Sequence, residues 1–199
     1  MANCFAYWAG VNHCRPCDRG IEPPYVLVGH SLGGLYMQYF ARNYPLEVEG
    51  LLLVDSIHWE HLERLKRDVP ASYRIVRVAS LIMLPIMKRE LADSVIAGEQ
   101  VHASPAAGVQ TIVLSSTKAS PGDLPSFRVL AARMQEEIAA DFPGARHIRV
   151  ANSAHYIQRD RPDVVIEAAR ALAGCDTSVA AQPIHGRHLD AMSGATYGG

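Results

Sequence analysis

Residues 25–44 begin Tyr25-Val-Leu-Val-Gly-His-Ser31-Leu-Gly-Gly34 and continue through Leu-Tyr-Met-Gln-Tyr-Phe-Ala-Arg-Asn-Tyr44. An apolar, β-branched run precedes the Gly-x-Ser-x-Gly pattern, and an apolar run of helix length follows it. A strand, a tight turn and a helix in this order make a nucleophile elbow, in which small residues let the chain reverse sharply enough to expose the serine. The sequence therefore predicts Ser31 as a nucleophile at the edge of a sheet.

The helix that begins at this turn also suits the chemistry of a nucleophile. Backbone N–H groups at a helix start face any negative charge that develops beside the serine. We expect the N–H of Leu32 to be one donor to such an oxyanion. Gly34 is predicted to let the helix pack closely against the sheet, because a residue without a side chain permits that approach.

Length and composition indicate one globular domain. The chain has 199 residues, of which 49% are hydrophobic and 20% charged, and its net charge of −1 comes without a run of Lys and Arg. Such a balance gives no electrostatic footprint for nucleic acid or for an anionic membrane. No signal-peptide pattern opens the chain, and no apolar run reaches the ~18 residues of a membrane span. We predict a cytoplasmic protein without a membrane span or a nucleic-acid partner.

Three further strands follow the elbow, with helical patterns between them. Leu51–Val54 is continuously apolar, which is typical of a strand buried on both faces in a parallel sheet covered by helices. Residues 109–114 and 145–150 are predicted as the next strands. Alternation of strand and helix predicts an α/β fold with a mostly parallel sheet flanked by helices. In such sheets, functional groups lie at the carboxyl ends of the strands.

The predicted domain organisation has three parts. Residues 1–20 fit neither period and are expected to be irregular, 21–174 form the α/β domain, and 175–199 form a disordered tail. Within the domain, residues 57–108 are too long for a plain crossover and predict a helical cap region. The Met and Leu side chains of this region are candidates for an acyl-binding pocket, although ordinary helix packing also explains them.

A serine nucleophile needs a base and a carboxylate that orients that base. His155 lies in the loop after the fourth predicted strand, where a base must stand to reach Ser31. Two carboxylates are candidates for the acid. Asp123 follows the third strand and fits the chain order Ser, Asp, His, so it is preferred, although it is also well placed to cap the next helix. Asp55, directly after the second strand, is the alternative.

Cysteines and the remaining histidines suggest weaker alternatives. Cys14 and Cys17 form a C-x-x-C pair that is compatible with half of a zinc site or with a redox pair. A zinc site needs a second pair of ligands, and only His13 and Cys4 are near, so we expect the cysteines to be free thiols. His58 and His61 flank Glu60 at a spacing that metal sites use, but a solvated helix face is the preferred interpretation. We therefore predict neither a metal nor a cofactor.

Three ordered motifs resemble the α/β-hydrolase fold superfamily, in its esterase and lipase branch. They are Val-Leu-Val-Gly-His-Ser31-Leu-Gly-Gly, Leu-Leu-Leu-Val-Asp55-Ser, and Ser153-Ala-His155-Tyr-Ile-Gln-Arg-Asp-Arg-Pro162-Asp-Val-Val. The resemblance covers about residues 20–173. It implies a serine hydrolase that cleaves a small apolar ester through an acyl-enzyme, with Ser31 as nucleophile, His155 as base and Leu32 as an oxyanion donor.

The resemblance also implies that strands and helices precede the elbow, whereas only 24 residues precede Tyr25 here. The strand before Ser31 is then expected to be a sheet edge, open to self-association through its unpaired backbone groups. Two functions follow as expectations. The first is a hydrolase with a Ser-His-Asp triad, and the alternative is a catalytically weak remnant or a binding module that keeps the pocket.

Overall fold

The computed structural model describes residues 22–82, 85–106 and 108–175. Its elements, in chain order, are β1 (Tyr25–His30), α1 (Leu32–Asn43), a 3₁₀ turn (Pro45–Glu47), β2 (Val48–Val54), α2 (His61–Asp68), α3 (Pro70–Ile82), α4 (Pro85–Ala103), β3 (Gln110–Ser116), α5 (Pro125–Asp141), β4 (Arg146–Val150), α6 (Ile157–Asp160) and α7 (Pro162–Leu172). The predictions for residues 1–20, including Cys4, Cys14 and Cys17, and for the tail from residue 176 lie outside the described residues.

The four strands form one parallel sheet in the order β1-β2-β3-β4. Gly29 of β1 pairs with Leu53 of β2, and Leu52 of β2 pairs with Ile112 of β3, so the three strands lie side by side in parallel. The predicted α/β fold with a parallel sheet flanked by helices is confirmed. β1 lies at one end of the described sheet, and Val28 is 49% exposed. Self-association through this edge stays a prediction.

Helices cover the sheet on both faces, which explains why β2 is apolar at successive positions. Leu51 and Leu53 pack with Phe40 of α1 and Ile138 of α5 on one face. Leu52 and Val54 point to the other face and pack with Ala168 and Leu172 of α7. Because neighbouring strand residues point to opposite faces, a strand between two helical layers must be apolar throughout. Each fully buried Leu contributes about 2 kcal/mol.

The segment between β2 and β3 is helical and rests on helices of the sheet's outer layer. Ala97 and Val101 of α4 pack against Leu35 and Tyr36 of α1. On the other side, Leu65 of α2 and Val69, which follows it, pack with Leu130 and Met134 of α5. Among the described residues, no helix is both long enough and apolar enough to cross a lipid bilayer.

Candidate active site

Ser31 occupies a sharp turn between β1 and α1. Its φ of 53° and ψ of −123° lie outside the regions that non-glycine residues favour, and such a conformation costs on the order of 1–3 kcal/mol. The turn is held by its backbone: the Ser31 N–H donates to the Val54 carbonyl at 3.1 Å, and the Ser31 carbonyl accepts from the N–H groups of Gly34 and Ile57. The serine is therefore fixed to the end of β2 as well as to its own strand.

Two glycines make this close packing possible. A Cβ on Gly29 would lie 2.6 Å from the Gly34 Cα, and a Cβ on Gly34 would lie 2.2 Å from the Ser56 Oγ. Real Cβ atoms do not approach other atoms so closely, so both positions require glycine. A Cβ on Gly33, in contrast, would meet no atom within 4 Å. The prediction that Gly34 permits close packing of helix on sheet is confirmed.

His155 hydrogen-bonds Asp55, the alternative of the two predicted acids. Its Nδ1 lies 2.8 Å from the Asp55 Oδ2, and the carboxylate also accepts from the N–H of Ser116 at 3.0 Å and from its hydroxyl at 3.1 Å. A carboxylate only accepts hydrogen bonds, so the imidazole proton sits on Nδ1 and Nε2 keeps its lone pair. This is the tautomer that a general base requires.

Asp123, the preferred candidate, does not pair with His155. Its Oδ2 accepts from the backbone N–H of Ser120 at 2.7 Å and closes the turn before α5. The helix itself begins at Pro125 without a side-chain cap from Leu124. The preference for Asp123 as partner of the imidazole was therefore wrong, because a local backbone donor engages its carboxylate while the end of β2 points Asp55 at the loop after β4.

Ser31 and His155 follow strands that end at the same edge of the sheet, where His30, the residue before Ser31, contacts His155. The His30 Nε2 lies 2.9 Å from the His155 carbonyl oxygen, and the two rings are 4.6 Å apart at their centroids. The Ser31 hydroxyl makes no hydrogen bond within the described ranges, so it is available to donate. Catalytic hydrogen bonds in ligand-free enzymes are often long and tighten only when substrate binds.

Burial governs the charge of His30. It lowers the pKa of the His30 imidazole, and positive charge on His155 lowers it further, whereas the hydrogen bond to the His155 carbonyl and the Asp55 carboxylate oppose the change. A neutral His30 donates its Nε2 proton to that carbonyl. No sequence pattern predicts this contact, because it joins residues 125 positions apart.

A buried amide pair supports the segment that carries Asp55. The Gln38 side chain donates to the Ser56 hydroxyl at 3.0 Å, and the Gln135 side chain donates to the Ser56 carbonyl at 2.7 Å. All three residues are at most 7% exposed. Asp55 has a positive φ of 43°, and the two glutamines hold the next residue in place. Sequence reasoning missed them, since polar residues inside helical patterns resemble surface positions.

The interpretation of His58 and His61 as a solvated helix face was wrong for His58, which is buried, whereas His61 is partly exposed. His58 is 3% exposed, and its Nε2 lies 3.3 Å from a Glu137 carboxylate oxygen. Burial lowers the pKa of His58, and burial lowers that of His61 to about 4 with smaller contributions from His58 and His155. No cluster of three or more His, Cys, Asp or Glu with metal-site geometry occurs in the part of the chain that the structure describes.

Solved structures share the fold of this chain at low sequence identity. DbjA superposes with a TM-score of 0.51 at 17% identity, over 79% of this chain and 70% of that protein. The chain has an α/β-hydrolase fold. MGS-MChE2, an α/β-hydrolase enzyme from a sediment metagenome of the lagoon of Mar Chica, Morocco, covers 78% of this chain at 16% identity with a TM-score of 0.48. A hydrolase from Pseudomonas aeruginosa covers 80% of it at 18% identity with a TM-score of 0.49.

The α/β-hydrolase fold is matched over part of its length. The chain spans 63% of MGS-MChE2 and 68% of the P. aeruginosa hydrolase, which is about two thirds of these proteins. No protein-family model matches the chain, and no curated protein is significantly similar to it in sequence. The fold positions a serine, a histidine and an aspartate at one sheet edge.

Proposed function

We propose that this protein is a serine hydrolase that cleaves a small apolar carboxylic ester through an acyl-enzyme, with Ser31 as nucleophile, His155 as base and Asp55 as acid. The observation that carries the proposal is the 2.8 Å hydrogen bond between the His155 Nδ1 and the Asp55 carboxylate, formed beside a serine in a strained elbow. Two such features at the carboxyl edge of one sheet suit nucleophilic catalysis.

In the proposed reaction, the Ser31 Oγ attacks the ester carbonyl carbon while the His155 Nε2 takes the hydroxyl proton. The carbonyl oxygen becomes an oxyanion, which the N–H of Leu32 stabilises, since the first residue of α1 has no intrahelical acceptor for its N–H. The imidazolium then gives its proton to the departing alkoxide, and the acyl group stays on Ser31. Water repeats the sequence, with His155 again as base, and releases the acid.

Asp55 acts through His155 and does not touch the substrate. Its carboxylate keeps the proton on Nδ1 and stabilises the imidazolium that forms in each half-reaction. Two hydrogen bonds from Ser116 orient the carboxylate. Asp55 is therefore held by β3 on one side and faces the loop after β4 on the other.

A fluorophosphonate probe tests the proposal, because it forms a covalent bond only with an activated serine. Mass spectrometry of the folded protein should locate the adduct on Ser31, and both Ser31→Ala and His155→Ala should abolish labelling. Circular dichroism of each variant checks that it is folded. Hydrolysis of p-nitrophenyl acetate that persists unchanged in Ser31→Ala would contradict the proposal and favour a binding module.

A further inference from the structure

A cavity of about 270 Å³ lies between α2, α3 and the start of α5. Its walls are mostly apolar, with Leu65, Ile75, Val76 and Phe127 among the residues that line it. At roughly 30 Å³ for a group the size of a water molecule, this volume holds a chain of about nine non-hydrogen atoms. An apolar cavity with a few polar groups is the usual form of a small-molecule site.

Ser72 is the polar group that the fold leaves unused in this cavity. The residue is 9% exposed, and its hydroxyl has no hydrogen-bond partner among the described residues. A buried hydroxyl without a partner is destabilising, so its presence in a cavity wall indicates that a ligand completes it. A hydroxyl both donates and accepts, which matches a hydroxyl on the ligand.

Two further groups restrict the charge of that ligand. His61 lines the cavity and packs edge-on against Phe127, with ring centroids 6.4 Å apart, and its pKa of about 4 makes it neutral at pH 7. The Asp123 carboxylate also lines the cavity. An anionic chain end would meet this carboxylate without a cation to balance it, so an uncharged polar group fits best.

The cavity adjoins the candidate active site. The loop that carries Asp123 begins directly after Ser116, whose N–H and hydroxyl both donate to the Asp55 carboxylate. The loop that leads to Asp123 is tied to the loop of the candidate base, because the N–H groups of Thr117 and Lys118 both donate to the Ser153 carbonyl. The loop after β3 therefore forms one wall of the cavity and also contacts the segments that carry Asp55 and His155.

We infer that this cavity receives the acyl chain of the ester and that Ser72 selects chains of about nine non-hydrogen atoms that carry a hydroxyl group. The inference rests on the proposed function and adds the substrate class to it. Ser72 hydrogen-bonds the chain hydroxyl and is a specificity determinant, and it takes no part in the bond-making steps.

The test compares p-nitrophenyl octanoate with its 8-hydroxy and 7-carboxyheptanoyl counterparts. Wild-type kcat/KM should be about tenfold higher for the hydroxylated ester than for the octanoate, as expected for one buried hydrogen bond, and lowest for the carboxylated ester. Ser72→Ala should bring the hydroxyl preference to about one. Ser94, another buried serine, lies on α4 outside this cavity, so Ser94→Ala should keep the preference.

A second measurement separates this inference from the proposed function. Methyl ketones with the same two chains cannot be hydrolysed, and calorimetry should show about tenfold tighter binding of the hydroxylated ketone by wild type and Ser94→Ala only. If the probe labels Ser31 but the protein does not prefer the hydroxylated ester, or the preference persists in Ser72→Ala, the inference is overturned. The proposed hydrolase function is then retained. If the probe does not label Ser31 but the hydroxylated ketone binds more tightly in a manner that requires Ser72, the proposed hydrolase function is overturned. The inference of a binding site for the hydroxylated chain is then retained.

Thermal unfolding guards against a purely structural explanation. Since the Ser72 hydroxyl has no partner, Ser72→Ala should keep or raise the melting temperature. Ile75→Trp provides an independent check, because an indole in the cavity should shift the preferred chain to shorter esters. A Ser72→Ala protein that is less stable and loses activity equally on all three esters would overturn the inference.

Discussion

The carboxyl edge of the sheet and the helical segment between β2 and β3 position their polar side chains in different ways. At the edge, backbone bonds set each position: the Ser31 N–H donates to Val54, and the Asp55 N–H donates to Leu114 at 2.8 Å. In the helical segment, side-chain packing sets the positions of His61 and Ser72, and neighbouring α3 residues such as Ile75 and Val78 are more than half exposed. The positions of the side chains at the edge therefore depend on backbone hydrogen bonds between strands. The positions of those in the cavity depend on side-chain packing, which a substitution changes directly.

The two regions should therefore respond differently to substitution. A substitution in α2 or α3 changes the cavity wall without breaking any bond that holds the proposed triad. A substitution at the ends of β1 or β2 changes the triad itself. The predictions below probe first the edge and then the helical segment, and end with the contact that joins His30 to His155.

The largest effect is expected from the carboxylate of the proposed triad. Asp55→Asn keeps the size of the side chain but favours the wrong imidazole tautomer, so kcat for p-nitrophenyl acetate should fall about 10³- to 10⁴-fold. Asp123→Asn should lose tenfold at most, since its carboxylate bonds a backbone N–H. Steady-state kinetics on both folded variants decide between them, and a larger loss in the Asp123 variant would reverse the assignment.

The packing of the elbow provides a matched pair of glycine variants. Gly34→Ala places a methyl group 2.2 Å from the Ser56 Oγ, and such overpacking should lower the free energy of unfolding by about 1–3 kcal/mol. Gly33→Ala meets open space in the same helix and should raise it by about 0.4–1 kcal/mol. Urea denaturation of both variants measures the difference, and equal stabilities would show that the elbow is less tightly packed than described.

Acidification should weaken the fold through the helical segment. His61 has a pKa of about 4 in the folded chain and an ordinary value of 6.5, so between these pH values the unfolded chain takes up a proton that the folded chain does not. The free energy of unfolding then falls by about 1.4 kcal/mol per pH unit, or about 2 kcal/mol between pH 6.5 and pH 5. His58, whose pKa is also lowered by burial, adds in the same direction.

The measurement is urea denaturation at pH 7.5 and pH 5 for wild type and His61→Gln. Most of the His61 contribution should disappear in the variant, so its stability should depend less on pH. An identical dependence in both proteins would mean that His61 is solvated in the folded chain and titrates normally.

The smallest effect is expected at His30. His30→Ala removes the hydrogen bond to the His155 carbonyl, which should lower kcat about tenfold and leave KM nearly unchanged, because the base loses part of its support. His147 offers a matched control: it is a half-buried histidine that pairs with the Ser115 hydroxyl at 2.9 Å. If His147→Ala reduces kcat as much as His30→Ala does, the His30 contact has no special role.

The sequence was sufficient for the fold because the end of its second strand, Leu51–Val54, is apolar at successive positions. Leu51 to Val54 lie in the middle of a parallel sheet, and only a strand covered on both faces has that composition. The elbow was equally clear, because its glycines and serine are adjacent in the chain. A structural feature whose residues are close together in the chain can be predicted from a local sequence pattern.

The proposed acid and the buried His58 were not predictable for the opposite reason. Asp55 and Asp123 both follow strands, and which of them meets His155 depends on the side-by-side placement of β2, β3 and β4. His58 is buried because Glu137, on a distant helix, approaches it. Contacts between residues about 80 to 100 positions apart leave no periodic trace in the sequence.

The three described non-glycine residues with positive φ are Ser31, Asp55 and Asn152, which follow the ends of β1, β2 and β4. Conformational strain is thus concentrated where the proposed chemistry occurs, and relief of that strain is available by a single exchange to glycine. Laboratory selection for heat tolerance alone should therefore favour glycine at position 31. Under the proposed mechanism, a protein selected in this way would lose its catalytic activity with the Ser31 hydroxyl while it gained thermal stability.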